Sequence, residues 1–182
     1  MFGAAGSGTT TTASAVANLL NFTHVDVDSY SWTDTEIPKS GRIPHTERIP
    51  ALQQAISACD GFVMSGSICG WGDILIPQFD FAVFMTASTD VRLKRLQKRE
   101  HGQFGVRIAE GGDMFTQYKW FIDYASSYDT GSPPDRCRKL HEQWIESLPC
   151  PVLRIDGTRS IDDLAAEIMA EYSKIEKVRC AK

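Results

Sequence analysis

The sequence is short of several things, and each shortage removes a class of function. No run is apolar for long enough to span a bilayer, and no basic stretch followed by an apolar one marks a leader, so a cytoplasmic protein with no membrane partner is expected. Positive charge is not in excess: 19 Lys and Arg against 23 Asp and Glu give a net charge of −4, which argues against a broad nucleic-acid-binding surface. Cysteine is sparse, odd in number and unpaired in pattern. Cys59, Cys69, Cys137, Cys150 and Cys180 form no C-x-x-C, the usage of reduced thiols rather than of a disulfide frame or zinc site. Cys69, beside glycines, is the one thiol placed where chemistry is conceivable. His24, His45, His101 and His141 show no metal spacing, and His141-Glu142 lacks the second histidine of a zinc-protease helix. There is no Ser/His/Asp set, internal repeat, low-complexity tract or linker, and 182 residues suit a single domain, 1–182, able to bury a full core.

One further absence concerns a single residue. Gly3-Ala4-Ala5-Gly6-Ser7-Gly8-Thr9-Thr10 follows the phosphate-cradling pattern G-x-x-x-x-G-K-[ST] at Gly3, Gly8 and Thr10, with Thr9 where the lysine belongs. Glycines let backbone N–H groups turn inward on an anion, and the helical run Thr10 to Leu20 aims its N-terminus at the same place. The alternative is a flexible Gly/Ser/Thr tail. Only Met1 and Phe2 precede the loop, whereas such a loop hangs from a buried strand, usually a central one. The expectation is therefore a late start, a truncated first strand, and a strand-wide gap between its two neighbours, the segments Phe62–Met64 and Phe79–Met85.

The rest of the chain alternates strand and helix: a strand Phe22–Val27, a helix Glu47–Cys59, a strand Phe62–Met64, a nearly continuous apolar strand Phe79–Met85, and a helix Asp90–Glu100. A Gly-rich loop over His101–Asp113 follows, then helices Met114–Tyr128 and Asp135–Leu148, and a last strand Pro151–Ile155. Ser160 with Asp163 forms a capping signal for a terminal helix. This order implies an α/β fold with a parallel sheet.

Three groups of residues carry the expected chemistry. Asp26 and Asp28, alternate residues at a strand end, can share a face beside the phosphate loop, one near Mg²⁺ and the other accepting an acceptor's proton; the alternative is a solvated strand end. Arg92, Arg95 and Arg99, spaced i, i+3, i+7 and joined by Arg107, can close on a polyphosphate; the alternative is a solvated basic face. Arg48 is placed to hold an anionic acceptor and Trp71, between two glycines, to stack on it, with Asp73, Arg136 and Arg138 as lesser candidates.

Together these segments resemble the P-loop small-molecule and nucleoside-monophosphate kinases, adenylate-kinase-like and shikimate-kinase-like proteins, and most closely a bacterial group identified as adenylate kinase or AAA-family ATPase. The resemblance rests on Gly3 to Thr11, on Gly61-Phe-Val-Met-Ser-Gly-Ser-Ile-Cys-Gly-Trp-Gly-Asp73, and on Arg95-Leu-Gln-Lys-Arg-Glu100. It implies a three-layer α/β/α P-loop NTPase fold with strand order 2-3-1-4-5, an acceptor-side segment at 29–50 and a lid at 100–135. It also implies ATP and Mg²⁺ as cofactors and a small-molecule phosphate acceptor as partner, in a monomer or homodimer. By position it places Gly3, Ala5, Gly6, Ser7, Gly8, Thr9 and Thr10 on phosphates, and Asp156 and Gly157 near the adenine. Thr10 and Asp26 fall at the metal; Asp28, Arg48, Trp71, Asp73 and Arg136 fall at the acceptor; and Asp28, Arg95 and Arg99 fall on the transferring group. Two further functions stay open, a nucleotide-binding module without kinase activity, as the missing lysine would suit, and a bare NTPase.

Overall fold

A computed structural model describes residues 1–180; the last two residues of the expected domain, 181–182, lie outside the described residues, as does the side chain of Cys180. Five parallel strands carry the fold: β1 (Phe2–Gly3), β2 (Thr23–Asp26), β3 (Phe62–Ser65), β4 (Ala82–Thr86) and β5 (Val152–Asp156). β2 pairs with β3, and β1 and β5 flank β4. Met1 joins the two groups, its nitrogen donating to the Met64 carbonyl at 2.6 Å and its carbonyl accepting from Gly66 N–H at 3.1 Å. The strand order across the molecule is thus 2-3-1-4-5, as expected of a P-loop fold.

Six α-helices are described: α1 (Thr9–Leu20), α2 (His45–Ser57), α3 (Thr89–Phe104), α4 (Phe115–Ser126), α5 (Arg138–Glu146) and α6 (Ile161–Cys180). Alternate residues of β4 feed two separate cores, the pattern of a strand covered on both faces. Ala82 and Phe84 pack with Phe2, Leu52, Ile56 and Trp144 on the α2/α5 side, while Val83 and Met85 pack with Val16, Leu164 and Ile168 on the α1/α6 side. Ser160 caps α6, its Oγ accepting from Asp163 N–H at 3.2 Å.

Several boundaries shift by up to about four residues from the sequence reading, and two of the shifts have a clear local cause. β4 starts at Ala82 rather than at Phe79, because a 3-10 turn over Asp73–Gln78 closes on Phe79, whose N–H bonds to the Ile76 carbonyl. α3 runs on through His101 to Phe104, where a loop is expected, and stops at Gly105 in a positive-φ conformation. Behind Met1, between β3 and β4, lies a cavity of about 560 Å³, so the strand-wide gap is present and the two flanking strands do not pair with each other.

Candidate functional site

The phosphate-loop segment turns from β1 into α1 at the C-terminal edge of the sheet. Gly6 and Gly8 have φ of +83° and +99°, values that side chains rarely adopt. At Gly6 a Cβ would meet the Arg92 carbonyl at 2.7 Å, so the loop's back is packed tightly; at Gly8 a Cβ would find nothing closer than 3.8 Å, so that side is open. No side chain caps α1, and the first helical N–H with a partner in this turn is that of Thr12, on the Gly8 carbonyl. A ring of backbone donors therefore faces outward at a helix N-terminus, the electrostatic setting for phosphate. Ser7 is fully buried and its Oγ has no hydrogen-bond partner. A flexible tail is excluded by this geometry.

The arginines of α3 do three different things, and the common outward face expected of them is not what the fold makes. Arg92 has no exposed surface. Its five N–H donors reach the carbonyls of Ala87, Ala5 and Ala125, the Thr89 hydroxyl, and Asp129 Oδ2 at 2.8 Å. It fastens the loop to the end of α4 and has no donor left for a phosphate. Arg99 lies against Glu100, Nη2 to Oε1 at 2.6 Å. Of the three, Arg95 alone comes to the open side of the loop: its Nη1 donates to Gly157 O at 2.9 Å and Gly6 O at 3.5 Å, and stands 3.8 Å from where a Gly8 Cβ would be. Arg107 is held bidentately by Asp113, six residues on, and also reaches the Glu36 carbonyl at 3.3 Å.

Beside the loop, Thr10 and Asp26 line one open cleft of about 700 Å³ with His24 and Tyr30. Asp26 ends β2 and its Oδ1 accepts from Asp28 N–H at 3.1 Å; burial raises its carboxyl pKa against that hydrogen bond. Asp28 itself sits in a 3-10 turn over Val27–Tyr30, so strand alternation does not set its direction; its charge still acts on Arg48. Among the described residues no cluster of three His, Cys, Asp or Glu can hold a metal. A hydroxyl and a carboxylate beside a phosphate cradle suit a hard cation held mainly by phosphate oxygens and water. On that chemistry the residues fit Mg²⁺ with a nucleotide.

A second cluster is built around Arg48. Its residue is 1% exposed, Nη1 donates to Ser31 Oγ at 3.0 Å, and Nε and Nη2 have no partner. Ser31, which nothing in the sequence marks, is itself held on the Val27 carbonyl at 2.9 Å. Trp71 does not offer a free ring: the Arg48 guanidinium lies 4.1 Å from its centroid, His45 stacks on it at 5.0 Å, and its Nε1 donates to the Ser67 carbonyl. Asp73 Oδ1 accepts from Gly70 N–H and from Trp144 Nε1 at 2.9 Å, which fixes the loop 68–73. Arg136 donates to the Tyr124 hydroxyl, and Arg138 pairs loosely with Asp129 at 3.7 Å. Asp156 Oδ1 accepts from Thr158 N–H, which lowers its pKa and shapes the turn holding Gly157 against the loop. Burial pushes the Cys69 thiol up to about 11, so it is no nucleophile at neutral pH. The segments 29–50 and 100–135 touch: Gln117 Nε2 donates to the Pro38 carbonyl at 2.9 Å.

Comparison with known proteins agrees with this geometry. An uncharacterized protein of Bacillus subtilis (strain 168), YqaC, is 37% identical over 169 residues, covering 93% of each chain. A gluconokinase from Sinorhizobium meliloti 1021 has a similar structure, with a TM-score of 0.51 at 15% identity over 100% of this chain and 94% of its own. The deoxyadenosine kinase from M. mycoides superposes with a TM-score of 0.50 at 12% identity, over 96% and 100%. At such identities the likeness is one of fold. The family model described as an AAA domain matches residues 1–110, more than half of the chain. The protein therefore belongs to the AAA-domain family, with the three-layer α/β/α fold of the P-loop kinases.

Proposed function

We propose that the protein is a phosphotransferase that moves the γ-phosphoryl group of ATP onto a small anionic acceptor, with Mg²⁺ bound to the nucleotide. The observation that carries this reading is the pairing of an open phosphate cradle at Gly8 with a second, buried anion site at Arg48, whose Nε and Nη2 lack partners. A buried guanidinium with two unpaired donors is costly unless a ligand supplies the acceptors. A hydrolase working on water alone has no use for that second site.

In this reading the backbone from Ala5 to Thr9 holds the phosphates, and the turn Asp156-Gly157 borders the nucleoside. Thr10 and Asp26 hold Mg²⁺, which when bound offsets the charge of the phosphate oxygens. Arg48 fixes the acceptor's carboxylate or phosphate. The acceptor oxygen bonds to the γ-phosphorus, the bond to the β,γ-bridging oxygen breaks to leave ADP, and the acceptor's proton passes to the Asp28 carboxylate. Arg95 supplies the charge that a lysine at Thr9 would have brought. Arg99, held by Glu100, is not assigned that task.

One observation favours a second reading, a nucleotide-binding module without transfer activity: the lysine is absent. An ADP-release assay with ATP, Mg²⁺ and a panel of nucleoside monophosphates, phosphosugars and hydroxy acids decides between them. Acceptor-dependent turnover is expected. Calorimetric ATP binding with no turnover on any acceptor selects the module, and turnover indifferent to acceptor selects an NTPase. Gly8→Val, which puts a branched side chain on the open side of the cradle at a φ that side chains rarely adopt, should abolish ATP binding, with thermal unfolding run beside it to check that the fold is kept; unchanged binding would remove the loop from the site.

A further inference from the structure

The unpaired atoms of Arg48 are not scattered over its guanidinium. Nη1 donates to Ser31 Oγ at 3.0 Å, and the two nitrogens without partners, Nε and Nη2, lie along one edge. That edge is the fork that grips two oxygens of one group side-on. Trp71 backs the fork, with the guanidinium carbon 4.1 Å from its ring centroid, and is itself pinned by Nε1 to the Ser67 carbonyl at 3.1 Å. Around this buried floor stands an exposed rim of the same sign. His45 stacks on Trp71 at 5.0 Å, and Arg42, over the Trp32 ring at 5.8 Å, acts on both His45 and Arg48. His45 opens α2 behind Pro44, which gives no side-chain cap, so the positive end of the helix adds to the same field. Negative charge is thin here. Asp28 acts on Arg48, Glu47 is an exposed residue in the first turn of α2, and Asp73 Oδ1 is occupied by Gly70 N–H and Trp144 Nε1.

We infer that His45 is a specificity-determining residue of this site: it takes up a proton from solvent as a dianionic phosphate monoester binds the Arg48 fork, and so selects a phosphomonoester over a carboxylate. The inference rests on the reading of Arg48 as the acceptor's anion site. A carboxylate fills the fork with its two oxygens and brings one charge, leaving Arg42 and His45 with nothing to hold. A phosphate monoester brings a third oxygen and a second charge, and these meet the rim. Burial, with the charges of Arg48 and Arg42, holds the His45 pKa below 6.5 in the free protein, so near neutral pH the ring is mostly uncharged. A dianion on the fork offsets that field and raises the pKa again. Linkage then sets the sign. Affinity for a dianion is greatest below the pKa of His45 in the free protein and falls as pH rises through its value in the complex.

The probe is sulfate, a tetrahedral dianion that keeps its charge from about pH 5 to 8, compared with acetate at constant ionic strength. The His45 ring protons, followed by NMR across that range, should report a pKa about one unit higher with sulfate than without, which corresponds to an affinity about ten-fold tighter at the acid end than at the alkaline end. Acetate should bind at least about ten-fold more weakly than sulfate at about pH 5.5. His45→Gln should bind sulfate like the original protein at about pH 8 and up to about ten-fold more weakly at about pH 5, whereas a merely structural role would lower affinity equally at both. The response should vanish in Arg48→Met and survive in Gly8→Val, which removes the phosphate loop as a site for the same anion. A His45 pKa that sulfate leaves unmoved, acetate binding as tight as sulfate, or a response lost in Gly8→Val overturns the inference. Sulfate needs no transfer step, so the two readings fail separately. A raised His45 pKa without turnover on any acceptor keeps the dianion site and removes the phosphotransferase; acceptor-dependent turnover with an unmoved His45 removes this inference alone.

Discussion

Arg92 Nη2 and Asp129 Oδ2 lie 2.8 Å apart, and through this one guanidinium the phosphate loop, the start of α3 and the end of α4 are tied together. Arg92 has no solvent-exposed side chain while Asp129 keeps 31% of its own, so the cation is the buried partner and the anion its link to water. The guanidinium also lies 5.3 Å from the Tyr128 ring centroid. A lysine cannot replace it, because five donors in a fixed fork meet five acceptors on three segments.

Arg92→Met should therefore destabilise the protein by about 3–5 kcal/mol, since it leaves buried carbonyls and a carboxylate without their donor. Arg92→Lys should recover only part of this. Denaturant unfolding checks both, and a loss below about 1 kcal/mol would show that the network relaxes around water.

The partner's acid response gives a separate prediction. Burial alone would raise the Asp129 pKa, but hydrogen bonds from Thr89 and Arg92 outweigh it and hold the folded value below 3.8. A depressed folded pKa contributes stability that is present above the unfolded value and lost as pH falls through the folded one. The stability difference between the protein and Asp129→Asn should thus be constant from pH 7 to about 5 and shrink below about pH 4. A difference that persists at pH 2 would mean the carboxylate's charge contributes nothing.

His141 acts in the neighbouring pH window. It is fully buried between the Tyr128 hydroxyl at 2.7 Å and Ser67 Oγ at 2.8 Å, and burial lowers its pKa from 6.5 to about 4. Between those values the unfolded chain binds a proton that the folded chain does not, so stability should rise with pH across that range. The full span corresponds to about 3 kcal/mol. His141→Gln, which cannot titrate, should make the pH 4–6.5 limb of the stability profile shallower, leaving the slope of the Met1 amine above about pH 5 and the Asp129 effect below about pH 4. An unchanged slope would assign the whole limb to the Met1 amine, whose pKa burial lowers to about 5.

How far these features were legible from sequence depends on whether they are local. The loop Gly3 to Thr10 reads directly, because glycine spacing and a helix start are local facts, and the two-faced burial of Val83 to Met85 reads from an unbroken apolar run. Arg92, Arg95 and Arg99 show the limit. Their i, i+3, i+7 spacing gives one helix face, but what that face meets is set by α4 and by the loop 87 residues earlier. Trp71 fails for the same reason: flanking glycines announce an exposed ring, and α2 then lays Arg48 and His45 on it. Ser31 carries no signal at all until Arg48 is folded against it.

Arg48 separates a structural arginine from a ligand-binding one. Arg48→Met removes two nitrogens that have no partner, one bond to Ser31 and the guanidinium over the Trp71 ring, so its stability change should stay within about 2 kcal/mol. The acceptor KM should rise by about a hundred-fold while the KM for ATP is unchanged, as loss of one charge-assisted pair predicts. A large stability loss with normal acceptor kinetics would reverse the assignment.

The missing lysine gives the last prediction. Thr9 opens α1 where a lysine would stand, and Arg95 Nη1 is the cationic group that the fold brings to the open side of Gly8. If Arg95 supplies the charge, it works on a phosphoryl group whose charge distribution shifts in the transition state, so Arg95→Ala should lower kcat by about 100- to 1,000-fold with a much smaller effect on ATP affinity. Thr9→Lys should restore a good part of that turnover in the Arg95→Ala background and add little in the original one. The double-mutant cycle then shows a coupling of about 2 kcal/mol or more between two residues that act on the same oxygens. Arg99→Ala is the control: with its guanidinium on Glu100, its loss should be nearly silent, and Thr9→Lys should not change that. Additive effects of Thr9→Lys and Arg95→Ala would separate the two positions. Equal losses of ATP affinity and turnover on removing Arg95 would make it a binding residue for the nucleotide rather than the replacement for the lysine.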